Sequence, residues 1–222
     1  MSCLLRPKGN VSRRSIADAQ GFQAPRRRSP NGSTSAPLLP LPKASAAGTI
    51  DVMPDKNFLF TPTTESDRTY IARLNFLTDV HGNEGREVTA AFAEDYHTYV
   101  ERWTPERGGV IAWSNHIPAG GAWLIWGTED HHGYGHVESG VPEVAVAVET
   151  AFRGHGLGRL LLNEAAKIAR AAGAPGISLS VDADNHHAHE VYLKLGYKPV
   201  PPSAQAPGAS DSEYHRLILR FS

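Results

Sequence analysis

The sequence predicts an α/β domain built on a mixed sheet, and three observations carry that prediction. Residues 143–149, Glu-Val-Ala-Val-Ala-Val-Glu, alternate strictly, as a strand with two different faces requires. A glycine-rich turn, Arg153-Gly154-His155-Gly156-Leu157-Gly158, leads from it into a helical pattern, and a second alternating run, Ile177–Val181, follows. A strand, a crossover helix and a second strand in that order make a unit with two parallel strands.

Each element has its own grounds. Phe58-Leu59-Phe60 reads as a short strand, and Thr64–Asp67 offers capping oxygens to a helix carrying Tyr70, Ile71, Leu74, Phe76 and Leu77. The run His81–Gly85 breaks that helix. A second helix over 87–102 is expected from the four-residue spacing of Val88, Phe92, Tyr96 and Val100. Val110–Trp113 and Ala122–Trp126 read as strands joined by a turn at Pro118–Gly121. In the 143–149 strand the three valines share one face, and both alanines and both glutamates the other. The following helix runs from about Leu157 to Ala172, with Leu157, Leu160, Leu161, Ala165, Ile168 and Ala169 inward. Gly173 and Pro175 stop it. Asn185 caps a last helix carrying Ala188, Val191, Tyr192 and Leu195, and Tyr214–Phe221 supplies a closing strand.

Composition bounds the function. The chain has 222 residues, 41% hydrophobic, with no apolar run near the ~20 residues a bilayer requires, so no membrane partner is expected. Cys3 is the only cysteine, which excludes an internal disulfide and makes a cytoplasmic, reducing compartment the default. The net charge of −1 hides an asymmetry: residues 1–50 hold eight Lys/Arg and one acid, leaving 14 basic and 22 acidic residues in 51–222. An acidic body offers no footprint for nucleic acid. The Arg/Ser/Pro-rich segment 1–50 has no hydrophobic period and reads as a disordered tail, with a transit peptide or an over-long start as the other readings. A single domain is expected over 51–222.

The turn at 153–158 has the chemistry of an anion site, because first-turn amides lack helical partners and glycines admit a pyrophosphate. It is not a P-loop, since Gly158 precedes Arg159-Leu160, and Arg159 stands where a dinucleotide fingerprint needs its third glycine. Arg153-x-x-Gly156-x-Gly158 instead resembles the acetyl-CoA-binding motif of the GNAT superfamily (GCN5-related N-acetyltransferases). Asn185-x-x-Ala188-x-x-Val191-Tyr192-x-x-Leu195-Gly196-Tyr197 resembles that family's last helix, with Tyr197 in place of the more usual Phe. The resemblance covers 141–197 closely and reaches back to about residue 57 in element order.

The resemblance implies a GNAT-like fold, a central mixed sheet splayed between two parallel strands with flanking helices. It implies acetyl-CoA as cosubstrate, its pantetheine arm on the main chain of Val146, Ala147 and Val148. The pyrophosphate would lie on Arg153, Gly154, His155, Gly156, Leu157 and Gly158, with Asn185 nearby. Transfer to an amine needs a base for a group of pKa ~10, donors for an oxyanion and a proton for the leaving thiolate. Tyr192 matches the family's general acid, and a core-packing aromatic is the plainer reading. Glu143 matches the position of a glutamate base, against a solvated strand-end carboxylate, with Glu149 as runner-up. The backbone N–H of Val146 or Val148 would serve the oxyanion. Asp79 and Glu84 lie where the acceptor site forms and are expected to bind a cationic amine.

His131, His132 and His136 are expected in a solvated loop and His186, His187 and His189 on the surface. With no His-Glu-x-x-His and no cysteine partner, no metal is expected. The expected partner is a small-molecule or peptide amine acceptor, and a homodimer stays open. The main alternative is a non-catalytic acyl-CoA-binding or sensing domain of the same fold.

Overall fold

The structure, a computed structural model, describes residues 58–201 and 214–222. The tail expected at 1–50 and the proline-rich stretch beyond Pro201 lie outside the described residues.

Seven strands among the described residues form one sheet, ordered β1-β2-β3-β4-β5-β7-β6. They are β1 (Leu59–Pro62), β2 (Gly109–Ser114), β3 (Ile117–Ile125), β4 (Glu143–Val148), β5 (Gly176–Asp182), β6 (Lys198–Pro199) and β7 (Tyr214–Arg220). All neighbours are antiparallel except β4 and β5. That parallel pair registers only at Glu143↔Ser178. From Val144 onward the β4 edge facing β5 has no ladder partner among the described residues, which is the splay that the motif resemblance implies.

Helices α1 (Arg68–Asp79), α2 (Phe92–Tyr96), α3 (Leu157–Ala171) and α4 (His186–Lys194) cover the sheet. Alternation in β4 divides the core as expected. Val144, Val146 and Val148 join one apolar cluster with Leu157, Leu161, Leu162 and Ala165 of α3. Ala145 and Ala147 join another with Ile71, Leu74 and Leu77 of α1 and with Tyr99, Val100 and Trp103. Small alanines on that face leave room for larger side chains from the α1–α2 side. Leu162, absent from the expected α3 stripe, is buried, and Leu160 is only half-buried.

Two expectations are corrected. The β2–β3 turn is Asn115-His116, both at positive φ (48° and 66°), and not Pro118–Gly121, which lies inside β3. A two-residue loop with two left-handed residues matches the twist of a hairpin, and asparagine tolerates that conformation. Gly120 and Gly121 are strand residues, and a Cβ there would meet the Ala147 carbonyl at 2.6 Å and Leu74 at 2.8 Å, which accounts for glycine at both. The helix expected over 87–102 begins only at Phe92 and opens after Tyr96 into a π turn, His97–Glu101. Val88 lies outside it and is 45% exposed.

Candidate active site

The turn between β4 and α3 adopts the conformation its glycines allow. Gly154 and Gly156 sit at φ 82° and 77°, and Gly156 is the left-handed N-cap of the fifteen-residue α3. The first-turn amides of α3 therefore open onto a cavity of about 570 Å³. Its near wall is Val148, Arg153, Gly154, Gly156, Leu157 and Gly158, six of the residues expected to hold a cofactor. Phe152 and Arg159 extend that wall. His187, Val191, Lys194 and Leu195 of α4 form the other side.

His187, expected on the surface, and Arg159 are both exposed and stand on the cavity rim with Lys194. The signal for the α4 wall was the spacing 187, 191, 194, 195, one helical face. His155 is exposed on the turn but does not line the cavity, while Val146 and Ala147 are wholly buried in β4. Asn185 acts as the α4 cap: its Oδ1 accepts the Ala188 N–H at 3.2 Å, and it is not among the cavity residues. Arg153 folds back, donating from Nε to the Val148 carbonyl at 3.2 Å and from a terminal nitrogen to the His81 carbonyl at 3.3 Å.

Glu143 is not a solvated strand-end carboxylate. It is 2% exposed at the point where β4 and β5 meet. Tyr99 donates its phenolic proton to Oε1 at 2.9 Å. Burial pushes the carboxyl up to about 7, opposed by the Gly135 N–H and the Tyr99 hydroxyl, with Asp95 reinforcing the rise and Arg216 countering it. The loop above it is glycine by necessity: a Cβ on Gly133 would come within 2.2 Å of Glu143 Oε2, and one on Gly135 within 2.8 Å of Cδ.

Tyr192 is fully buried in the α3-side core, its ring 6.0 Å from that of Tyr197, and it does not line the cavity, although Val191 beside it does. Asp79, expected to meet an acceptor, is 5% exposed and accepts the Thr89 N–H and hydroxyl, each at 3.1 Å. Glu84 is exposed and bonds Arg73 at 3.1 Å. Neither residue is brought to the cavity. His136, expected in solvent, is 4% exposed and stacks on His132 with ring centroids 4.7 Å apart. Burial lowers its pKa below the ordinary histidine value. Among the described residues no group of three or more His, Cys, Asp or Glu could hold a metal ion, and no helix is long and apolar enough to cross a membrane.

Comparison with known proteins agrees with this geometry. The family model described as "Acetyltransferase (GNAT) family" matches residues 67–197. Two curated relatives are named mycothiol acetyltransferase. The one from Catenulispora acidiphila is 37% identical over 98 residues, 44% of this chain and 30% of the relative. The one from Corynebacterium glutamicum is 34% identical over 109 residues, 43% of this chain and 36% of the relative. The match thus spans about a third of those relatives' length. Among solved structures, a GCN5-related N-acetyltransferase from Kribbella flavida superposes with TM-score 0.51 at 18% identity, covering 74% of this chain and 98% of that one. The chain yncA from Salmonella typhimurium, solved with its cofactor acetyl-CoA, gives 0.50 at 18%, covering 74% and 94%. At such identities these two report the fold. The family model covers most of the described chain, including the glycine turn and α4, and on that match the chain belongs to the GNAT family of acetyltransferases.

Proposed function

We propose that this chain transfers an acetyl group from acetyl-CoA to a primary amine. The observation that carries the reading is the cavity at the N-terminus of α3, where the glycine turn offers backbone amides, Arg159 and Lys194 supply positive charge at the rim, and His187 stands beside them. The pyrophosphate is assigned to that turn, and the pantetheine arm to the unpaired β4 edge at Val146–Val148.

Glu143 takes the proton of the incoming amine. A carboxyl held near 7 is a far better match to a neutral-pH base than one at its ordinary value. The amine nitrogen bonds the thioester carbonyl carbon, a β4 N–H at Val146 or Val148 stabilises the oxyanion, and the C–S bond breaks. Tyr192, packed in the core beside Tyr197, gives its proton to the departing sulfur, and Glu143 releases its proton to solvent as Tyr192 regains one, which closes the cycle. Products are the amide and CoA thiol. Asp79 and Glu84 are set aside as acceptor ligands, because Thr89 and Arg73 occupy them.

One observation favours a second reading, acyl-CoA binding without catalysis: both Glu143 and Tyr192 are sealed, at 2% and 0% exposure. One experiment decides. Calorimetry measures acetyl-CoA affinity, and CoA release is followed against polyamines, aminoglycosides, amino acids, peptide N-termini and mycothiol-related amines, the last suggested by the relatives' name. Affinity with turnover supports the transferase, affinity without turnover the binding domain, and no affinity sinks both.

A further inference from the structure

Glu143 belongs to a chain of hydrogen bonds that neither motif contains. Tyr99 lies in the π turn His97–Glu101, a widened helical form often found at functional sites. Its phenolic oxygen donates to Glu143 Oε1 at 2.9 Å and accepts the Tyr134 N–H at 2.9 Å. Tyr134 in turn donates its hydroxyl to Asp95 Oδ1 at 3.0 Å, and the Tyr99 and Tyr134 rings stack with centroids 6.4 Å apart. Tyr99 is wholly buried and Asp95 is 6% exposed, while Tyr134 between them is half-buried.

The geometry distinguishes the two carboxylate oxygens. Oε1 receives the Tyr99 proton, whereas Oε2 has no hydrogen-bond partner among the described residues. Gly133 and Gly135 bring the loop so close to the carboxylate that a Cβ at either position would clash with it. The charged groups that face it are Asp95 on α2 and Arg216 on β7, and Arg216 also donates to the His136 carbonyl at 3.0 Å. His136 itself, on the loop, stays neutral near pH 7 because burial lowers its pKa.

We propose that Tyr99 is the positioning residue of the Glu143 base: its phenol fixes Oε1, leaves Oε2 to take the amine proton, and sets, against the negative charge of Asp95, the pH at which that oxygen is available. The inference rests on the reading of Glu143 as base. A phenol donating to the carboxylate favours its charged form, so Tyr99 holds the base active at a lower pH than burial alone would permit. Asp95 opposes this through its negative charge.

The test titrates the Glu143 carboxyl by carbon-13 NMR in the full-length protein, with the resonance assigned by its loss in Glu143→Gln. Tyr99→Phe removes one hydrogen bond to the charged form, and the titration midpoint is expected to rise by about one pH unit. A residue that only fills space would leave the midpoint in place, and a midpoint within ~0.3 unit of the parent overturns the proposal. Should Tyr99→Phe not fold, fluorotyrosine placed at position 99 carries the test, since its phenol is a stronger donor: a downward shift of the midpoint supports the proposal and an unmoved midpoint overturns it. Acetyl transfer by Glu143→Gln is measured separately. Parental turnover there refutes the base reading, while the midpoints still report whether Tyr99 controls the carboxylate.

Discussion

Arg73 forms a two-pronged ion pair with Glu149, from Nε and a terminal nitrogen at 2.8 Å each, and holds Glu84 with the same guanidinium at 3.1–3.2 Å. One cation therefore occupies two carboxylates that the sequence offers for chemistry: Glu149 as the runner-up base and Glu84 as an acceptor ligand. Arg73 also holds the Glu84 carboxyl below its ordinary pKa. Glu84 is thereby a poor proton acceptor at neutral pH, and Glu149 has both of its carboxylate oxygens engaged by Arg73.

The first prediction separates the two glutamates. Glu149→Gln is expected to keep the parental acid limb of the kcat/KM profile, whereas Glu143→Gln loses that limb and about 10²-fold or more in rate. A limb that vanishes in Glu149→Gln instead would move the base to the far end of β4.

Glu143 should also leave a mark on stability. Its folded-state pKa, about 7, lies above the ordinary value of 4.5, so the native state binds more protons than the unfolded state between those limits. Its contribution therefore worsens as pH rises from about 4.5 to 7 and is constant above. The full swing is on the order of 3 kcal/mol, an upper figure for a buried carboxyl. Glu143→Gln is expected to flatten that part of the profile, gaining on the parent at pH 8 relative to pH 5. Urea unfolding at both pH values measures it, and parallel profiles would mean that the carboxyl titrates at its unfolded value.

Cofactor affinity should depend on the turn and on the rim in different ways. Gly156→Val places a β-branched residue at φ 77° and puts a Cβ at the cavity wall, where the described residues leave open space within 4 Å. The strain is on the order of 1–3 kcal/mol, and the acetyl-CoA dissociation constant is expected to rise at every ionic strength. Arg159→Glu changes only charge at an exposed helix position, and its weakening, about tenfold at low salt, should shrink as salt is added. Calorimetry at two salt concentrations tests both. A salt-insensitive Arg159→Glu would mean that the phosphates do not approach this rim.

The sequence made the parallel unit legible because its determinants are local: alternation in Glu143–Val148, glycines in the turn, a cap at Asn185. It also made β1 and α1 legible, since each carries its own period. The π turn was not, because helical spacing of Phe92, Tyr96 and Val100 is compatible with either winding, and the bond from Tyr99 to Glu143 spans 44 positions of chain. The occupation of Asp79 by Thr89 and of Glu149 by Arg73 escaped for the same reason. A residue type says what a side chain can do, and only the fold says what already engages it.

Tyr192 is where sequence and packing pull hardest against each other. Its motif position makes it the proton donor to the leaving sulfur, and its side chain is wholly buried with its ring against Tyr197. Tyr192→Phe keeps the ring and removes only the hydroxyl, so the two roles give opposite outcomes. If the phenol serves the thiolate, the loss falls on kcat, because the hydroxyl matters when charge develops on sulfur and not when acetyl-CoA binds. A general acid contributes about 10²–10⁴-fold, and a loss near the lower end is expected because water substitutes in part. Acetyl-CoA affinity should stay within a few-fold of the parent. If the residue only packs, kcat is unchanged and the melting temperature shifts slightly, since a buried hydroxyl is removed without opening a cavity the size of a ring. Steady-state kinetics with any accepted amine, read beside the melting curve, assigns the role, and a parental kcat would leave the leaving thiolate to be protonated by solvent.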